Sequence, residues 1–206
     1  MCAIRVLSIS AIVLIARGGM LPAHATELFQ VTSGPWDQRA PSWSPDGSRI
    51  VYASMSLSYT YDIMLVPSTG GEPSVLTSGG ECEMRSPAWS ADGAVIAFAR
   101  AGRPDCWFDN QLDIWLVAAT GPPGWTHLTS GPPSEFDPSW SPDGALIAFT
   151  GTLGSNSDLW LVPSMGGEPE RLTFNPALEA DPTWAPDGSS IAFRRRQTIK
   201  VALRSH

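Results

Sequence analysis

The stretch Pro138-Ser139-Trp140-Ser141-Pro142-Asp143-Gly144 is one of four closely similar segments in the chain. The other three occupy residues 41–47, 87–93 and 182–188, so the four tryptophans follow one another at intervals of 46, 51 and 44 residues. In such a segment proline fixes φ, aspartate caps the local backbone, and glycine accepts the positive φ of a tight turn. A strand followed by a turn therefore recurs with the long period of a repeat protein.

Two apolar runs follow the turn in most of the repeats. Residues 146–149 form a first run, and Asp158-Leu159-Trp160-Leu161-Val162 forms a second one that begins with aspartate. A turn containing glycine and a Leu-Thr pair then close the repeat. The runs are rich in β-branched and aromatic residues and nearly continuous, which is typical of strands buried on both faces. Four short strands per repeat predict an all-β fold, a β-propeller of four-stranded antiparallel blades.

The combined pattern resembles a known repeat family. Pro-x-Trp-Ser-Pro-Asp-Gly, Ile-Ala-Phe, Asp-Ile/Leu-Trp, Gly-Gly-Glu-Pro and Leu-Thr are similar to the TolB-like β-propeller repeat, also found in some serine oligopeptidases and tricorn-like proteases. The resemblance covers residues 27 to about 203. TolB itself has six repeats and a preceding α/β domain, whereas this chain has four repeats that start directly. The resemblance implies an extracytoplasmic module that docks a protein or peptide.

The two ends of the repeat region look complementary. The last repeat supplies three strands, ending with residues 198–203, whereas residues 27–34 match the closing fourth strand of the other repeats. We therefore expect four blades, with strand 28–32 pairing with strand 198–203 to close the last blade. The alternative is a fragment of a larger propeller whose remaining blades come from a second copy, in which case self-association is expected.

Residues 1–25 have the pattern of a signal peptide. Arg5 supplies a positive charge, residues 6–16 form an apolar run, and Ala23-His24-Ala25 offers a small-x-small cleavage site. The apolar run is too short to span a membrane. We expect a signal peptide over 1–25, a propeller domain over 26–206, no transmembrane segment after cleavage, and a periplasmic or secreted protein. Arg17 interrupts the pattern, and an N-terminal helix that stays attached is the alternative.

Charge and residue types exclude several classes of function. The formal net charge is −7, and the only run of basic residues is 194–196, so nucleic-acid binding is not expected. A Gly-x-Ser-x-Gly nucleophile segment is absent and the chain has 3 histidines, so we expect no catalytic residues, metal or cofactor. The alternative is a domain or subunit of a hydrolase or peptidase system, with catalysis elsewhere or by channel carboxylates.

The cysteines predict one covalent link. Cys2 would leave with the signal peptide, and Cys82 and Cys106 would remain as an even pair in an exported chain. Such a pair favours a disulfide. Metal ligation is the alternative, although neither cysteine lies in a Cys-x-x-Cys pair.

The candidate binding residues lie before the tryptophan strands. An acid is followed two positions later by a second charge in each repeat, and these second charges are Arg39, Arg85, Asp137 and Asp181. In a propeller this loop leads into the innermost strand, so we expect the four residues to ring one mouth of the central channel. Solvated rim charges or ion pairs between blades are the alternative. Trp107, in the long insertion 100–112, is expected at the side of this mouth as an exposed anchor.

Overall fold

The computed structural model describes residues 12–13, 28–57, 60–77, 82–101, 111–121 and 124–203. Every regular element in these ranges is a β-strand, and none of them contains a helix that could cross a membrane. A small sheet pairs β1 (Ile12–Val13) with β2 (Phe29–Gln30). The remaining strands form four antiparallel sheets, which are the blades of a four-blade β-propeller.

The blades follow one another in chain order. Blade 1 consists of β3 (Gln38–Trp43), β4 (Arg49–Met55), β5 (Tyr61–Pro67) and β6 (Ser74–Val75). Blade 2 consists of β7 (Met84–Trp89), β8 (Val95–Ala101), β9 (Leu112–Ala118) and β10 (Trp125–His127). Blade 3 consists of β11 (Ser134–Trp140), β12 (Leu146–Leu153), β13 (Asn156–Pro163) and β14 (Glu170–Arg171). Blade 4 consists of β15 (Glu179–Trp184), β16 (Ser190–Arg195) and β17 (Thr198–Leu203).

The Pro-Asp-Gly segments form the predicted turns. In blade 1, the Asp46 carboxylate accepts hydrogen bonds from the Ser44 hydroxyl at 2.6 Å and the Ser48 amide at 3.0 Å. Gly47 has a φ of 69° and donates its amide to the Ser44 carbonyl at 2.9 Å. These bonds hold the pKa of Asp46 at about 2, with the Ser44 hydroxyl as the largest cause. The carboxylate is therefore a turn cap, as the sequence predicts.

The tryptophans join consecutive blades. The indole nitrogens of Trp89, Trp140 and Trp184 each donate to a carbonyl of the preceding inner strand, at 3.2, 3.2 and 3.1 Å. A buried apolar cluster fills each junction, and Phe98, Phe149 and Phe193 lie in successive clusters. Burial of such side chains contributes about 1.5 to 3 kcal/mol each, so the junctions hold most of the core.

The predicted pairing between strand 28–32 and strand 198–203 is wrong. Phe29–Gln30 pairs with Ile12–Val13 instead, and blade 4 has three strands in the part of the chain that is described. Val31 packs on blade 1, and among the described strands Phe29–Gln30 pairs with Ile12–Val13 alone. Blades 1 and 4 do not contact each other through their described strands. The boundary predicted at residue 25 lies outside the described residues.

Candidate functional site

Each inner strand contains a bulge at the residue directly before the proline of its Pro-x-Trp segment. Register shifts occur between Arg39 and Ser42 in blade 1 and at the equivalent place in the other three blades. At each shift a residue other than glycine adopts positive φ directly before a proline, with values between 49° and 58°. Proline disfavours right-handed helical φ and ψ for the residue before it, and a bulge redirects one side chain. The four residues are Ala40, Ser86, Asp137 and Asp181.

The bulge corrects the predicted alignment of charges. Asp137 and Asp181 occupy the bulge position, whereas Arg39 and Arg85 lie one residue before it. The residues that are equivalent to the two arginines in blades 3 and 4 are Phe136 and Ala180, by strand register. The four predicted residues are therefore not one repeated position.

The structure brings Asp137 and Asp181 together with side chains of neighbouring blades. The Ser86 hydroxyl donates to Asp137 at 2.7 Å, across the junction of blades 2 and 3. The Arg194 Nε donates to Asp181 at 2.5 Å, and the Asp181 amide donates to the Thr150 hydroxyl at 3.2 Å. The first contact joins the inner strands of blades 2 and 3, and the last joins the inner strand of blade 4 to the second strand of blade 3. We call Asp137 and Asp181 the acid pair.

The acid pair is electrostatically unbalanced. Burial raises the pKa of Asp137, and the negative charge of Asp181 raises it further, against the opposing effect of the Ser86 hydroxyl. Arg194 donates a hydrogen bond to Asp181, whereas it acts on Asp137 only through its charge at longer range. Two neighbouring carboxylates repel each other, so the neutral form of Asp137 is favoured relative to an isolated aspartate. The pair can therefore accept a hydrogen bond or a positive charge from outside.

The two arginines lie on exposed parts of blades 1 and 2. Arg39 donates to Asp37 at 2.6 Å and lies over the Tyr61 ring, 4.7 Å from its centroid. Arg85 donates to Glu83 at 2.5 Å. The arginine side chains are 60% and 52% exposed, and among the described residues neither forms an ion pair with Asp137 or Asp181. The predicted charge division thus exists as two exposed ion pairs on one side and the acid pair on the other.

Trp107 and Cys106 lie outside the described residues. Met84 pairs with Arg100, and Ala101 pairs with Leu112, so Ala101 and Leu112, on either side of segment 102–110, lie at the same end of blade 2 as Met84. Cys82 is buried. The disulfide between Cys82 and Cys106, and the role of Trp107 as an anchor, stay predictions.

A set of buried acids lies between the blades and is not predicted from the sequence. Glu135 is the second residue of the inner strand of blade 3 and accepts a hydrogen bond from the Thr129 hydroxyl. Burial raises its pKa to about 7, and the nearby Asp113 carboxylate adds to the increase. Asp113 contacts His127 Nε2 at 2.7 Å, and the His127 ring stacks on Trp115 with 4.2 Å between centroids. This junction therefore holds a group that exchanges a proton near neutral pH.

The next junction has a similar pair of acids with arginine partners. Asp158 accepts from Arg171 at 2.6 Å, and Glu179 accepts from Arg195 at 2.7 Å. Within the described ranges, no group of three His, Cys, Asp or Glu side chains could hold a metal ion. The signal that could have found these acids is the place of Glu135 and Glu179 in the inner strands, one residue closer to the tryptophan than Asp37 and Glu83.

The architecture has counterparts among solved structures. A protein assigned as TolB in Agrobacterium tumefaciens is 24% identical with a TM-score of 0.73, and the match covers 87% of this chain and 66% of that one. For TolB from Acinetobacter baumannii the identity is 24%, the TM-score 0.68, and the coverage 86% of this chain and 43% of that one. A puromycin hydrolase is 17% identical with a TM-score of 0.63, over 84% of this chain and 28% of that one.

These matches show a TolB-like propeller fold. No protein-family model matches the sequence, and no curated protein does. The chain spans slightly less than two thirds of the Agrobacterium protein and less than half of the Acinetobacter protein. Because enzymes also contain this fold, the likeness establishes architecture, and function rests on the site.

Proposed function

We propose that the protein is a non-enzymatic binding module that docks a protein or peptide in the cell envelope, at the inner-strand surface around the acid pair. The observation that carries the proposal is that Asp137 and Asp181 lie near enough for their charges to interact, and that the fold holds both in left-handed backbone conformations. Such conformations cost about 1 kcal/mol or more for a residue with a Cβ. Ala40 and Ser86 share this conformation, so it belongs to the bulge of every blade, and what distinguishes blades 3 and 4 is the carboxyl group at that position.

The acid pair selects the chemistry of the partner. A lysine, an arginine or an N-terminal amine near both carboxyls would offset their mutual repulsion and favour the ionised form of Asp137. A proton on Asp137 competes with such a group, because burial and the charge of Asp181 raise the pKa of Asp137. Affinity is therefore expected to fall as pH decreases.

Arg39 and Arg85 supply the opposite sign on blades 1 and 2. Each guanidinium already contacts one acid and remains more than half exposed, so it can also meet a carboxylate of the partner. Exposed charges of this kind act mainly on the rate of encounter and on orientation. Trp107, if exposed as predicted, would add an apolar anchor at the side of this surface.

The location and the absence of catalysis are part of the proposal. The predicted signal peptide 1–25 places the chain outside the cytoplasm, and the excess of acids disfavours nucleic acid as a partner. The matched propeller accounts for 28% of the puromycin hydrolase chain, so an enzyme of that kind has most of its residues elsewhere. If the propeller were a hydrolase that acts through channel carboxylates, the acid pair would be its catalytic group.

The test is binding of defined peptides to the wild-type protein and to the double variant Asp137→Asn with Asp181→Asn. Probes are peptides of equal length with lysine or arginine, neutral, or acidic side chains, titrated by calorimetry at pH 5 and pH 8. We expect cationic peptides to bind most tightly at pH 8 and the double variant to lose at least tenfold in affinity, which is about 1.4 kcal/mol.

The matched control is Glu168→Gln, which removes an exposed carboxylate in the third-to-fourth strand turn of blade 3. Its peptide affinity should equal that of the wild type. Equal binding of the cationic peptide to the wild type and the double variant would contradict the proposal. Cleavage of a peptide that depends on Asp137 would instead support the hydrolase alternative.

A further inference from the structure

We propose that the outer face of blade 1 and the outer face of blade 4 are the two halves of one blade junction, and that a second copy of this chain docks between them, head to tail. The occupant is another molecule of the same chain because each contact that builds an internal junction has one partner on each of these two faces. This inference is independent of the proposed peptide binding.

Every internal junction repeats two polar contacts. The tryptophan of one blade donates to an inner-strand carbonyl of the blade before it, as Trp89 does to Ser42. In addition, a closing-strand threonine accepts the amide of the third strand in its own blade, as Thr77 accepts Ile63 at 2.9 Å. Thr129 and Thr173 do the same with Ile114 and Leu159 at 2.9 and 3.0 Å.

The outer face of blade 1 carries one half of this set. Trp43 is 42% exposed, whereas Trp89 is 7% exposed. The closing strand is also present there, because Val31 packs on Ile50 and Tyr52 just as Leu76 packs on blade 2. Thr32 donates to Gln38 at 2.5 Å, which repeats the bond from Thr129 to Glu135.

The outer face of blade 4 carries the other half. By strand register, Thr183 is equivalent to Ser42, and its carbonyl is the counterpart of the acceptors used by the other tryptophans. Ile199 is equivalent to Leu159, so its amide is the counterpart of the donors to the closing threonines. Ile199 is 72% exposed, whereas Leu159 is fully buried. Strand β17 therefore has an apolar residue at a position that is buried in blade 3, although this residue is exposed at the outer face of blade 4.

The closing strand at the outer face of blade 1 is already paired along one of its edges. Leu161 pairs with Glu170 in blade 3, and the equivalent residues at the outer faces are Val201 and Phe29. In the full chain Phe29 pairs with Val13, so β1 already occupies one edge of this closing strand. Cleavage after residue 25, as predicted for a signal peptide, removes β1 and frees the edge for the second copy.

The test begins with the full-length chain carrying a protease site between residues 25 and 26. Sedimentation velocity before and after cleavage, from 1 to 100 µM, follows the oligomeric state. We expect association to increase on cleavage, either to a closed ring or to longer head-to-tail assemblies, since a heterologous contact does one or the other. A cleaved protein that remains monomeric at 100 µM would overturn the proposal.

Two variants make the test specific. Trp43→Ala, at an exposed position, should weaken association at least tenfold without changing the melting temperature. Met165→Ala is the matched control, since Met165 is exposed at a turn of blade 3, and it should associate like the wild type. Equal association of Trp43→Ala and the wild type would overturn the proposed face.

Cysteine cross-linking tests the register. Cleaved Phe29→Cys chains mixed with cleaved Val201→Cys chains should form a disulfide-linked heterodimer, and Phe29→Cys mixed with Ile199→Cys should form much less. A protein with both Phe29→Cys and Val201→Cys that links only within one chain would overturn the proposal, because it would mean that the ring closes in a single molecule.

Discussion

The junction between blades 1 and 2 and the junction between blades 2 and 3 use the same positions with different chemistry. In both, a closing-strand threonine accepts a backbone amide from the third strand of its blade, and both bonds measure 2.9 Å. In the first junction Thr77 then donates to the sulfur of Met84 at 2.8 Å. In the second, Thr129 donates to the carboxyl group of Glu135. Met84 and Glu135 are both buried.

The comparison separates what the fold needs from what one junction adds. The fold needs the threonine and its amide partner, because this bond ties the short closing strand to the blade. The residue opposite can be a thioether or a carboxyl, and the backbone geometry is the same. Only the carboxyl exchanges a proton, since burial raises the pKa of Glu135 to about 7. At this position the second junction therefore responds to pH, whereas the thioether of Met84 has no proton to exchange.

The largest expected effect comes from giving the first junction the chemistry of the second. Met84→Glu places a carboxyl in an apolar cluster, so at pH 8 it should lower the free energy of unfolding by about 3 to 5 kcal/mol. At pH 5 the loss should be smaller, because the new carboxyl can stay protonated. Urea unfolding at both pH values measures this, with Met84→Gln as the control of equal size. Equal losses of Met84→Glu at the two pH values would contradict the comparison.

The second expected effect is the pH dependence of the wild type. Glu135 has a pKa near 7 when folded and about 4.5 when unfolded, so the native state keeps a proton that the unfolded state loses. Its contribution is complete below about pH 4.5 and is lost as pH rises through 7, by roughly 3 kcal/mol in total. The difference between the wild type and Glu135→Gln, in urea unfolding from pH 4 to 8, isolates this effect. A difference that does not vary with pH would show that Glu135 does not titrate in this range.

A smaller effect is expected at the edge of the same junction. His127→Ala removes the contact with Asp113 and the stacking on Trp115, and should lower the free energy of unfolding by about 1 to 2 kcal/mol. His127→Phe keeps a ring for stacking and should recover part of the loss. Thermal melting of both variants at pH 7 measures the two contributions. Identical losses would mean that the stacking contributes nothing.

The smallest effect is expected outside the junctions. Arg39→Ala removes an exposed ion pair with Asp37, which keeps its hydrogen bond from the Tyr61 hydroxyl at 2.6 Å. We expect a loss of about 0.5 kcal/mol or less, since exposed ion pairs contribute little. Melting at low and high salt measures it. A loss above that of His127→Ala would mean that Arg39 is a structural tie of blade 1.

Much of the fold follows from the repeated residue types. The Pro-Asp-Gly turns and the tryptophan wedges are predicted because the same residues meet the same local demand in each blade. The partner of strand 28–32 could not be predicted in this way, because a closing strand offers an edge that any third strand can use. The structure shows that Phe29–Gln30 pairs with Ile12–Val13, which lies within the segment interpreted as a signal peptide.

The candidate site was predicted only in part, for a backbone reason. Ala40 and Ser86 adopt positive φ without being glycine or asparagine, so nothing in their residue type reveals the bulge. Without the bulge, charges one residue apart look equivalent, which is why Arg39 was aligned with Asp137. The same offset made Glu135 appear to be a loop charge, although it lies inside a junction.

The bulge before each inner-strand proline has a consequence for redesign. It redirects one side chain per blade, and from blade 1 to blade 4 the residues are Ala40, Ser86, Asp137 and Asp181. A substitution there changes the side chain at the bulge while the tryptophan three residues later stays in place. Glycine would relax the backbone and remove the side chain. The propeller thus separates the residues that can determine specificity from those that build the fold, and specificity can be redesigned one blade at a time.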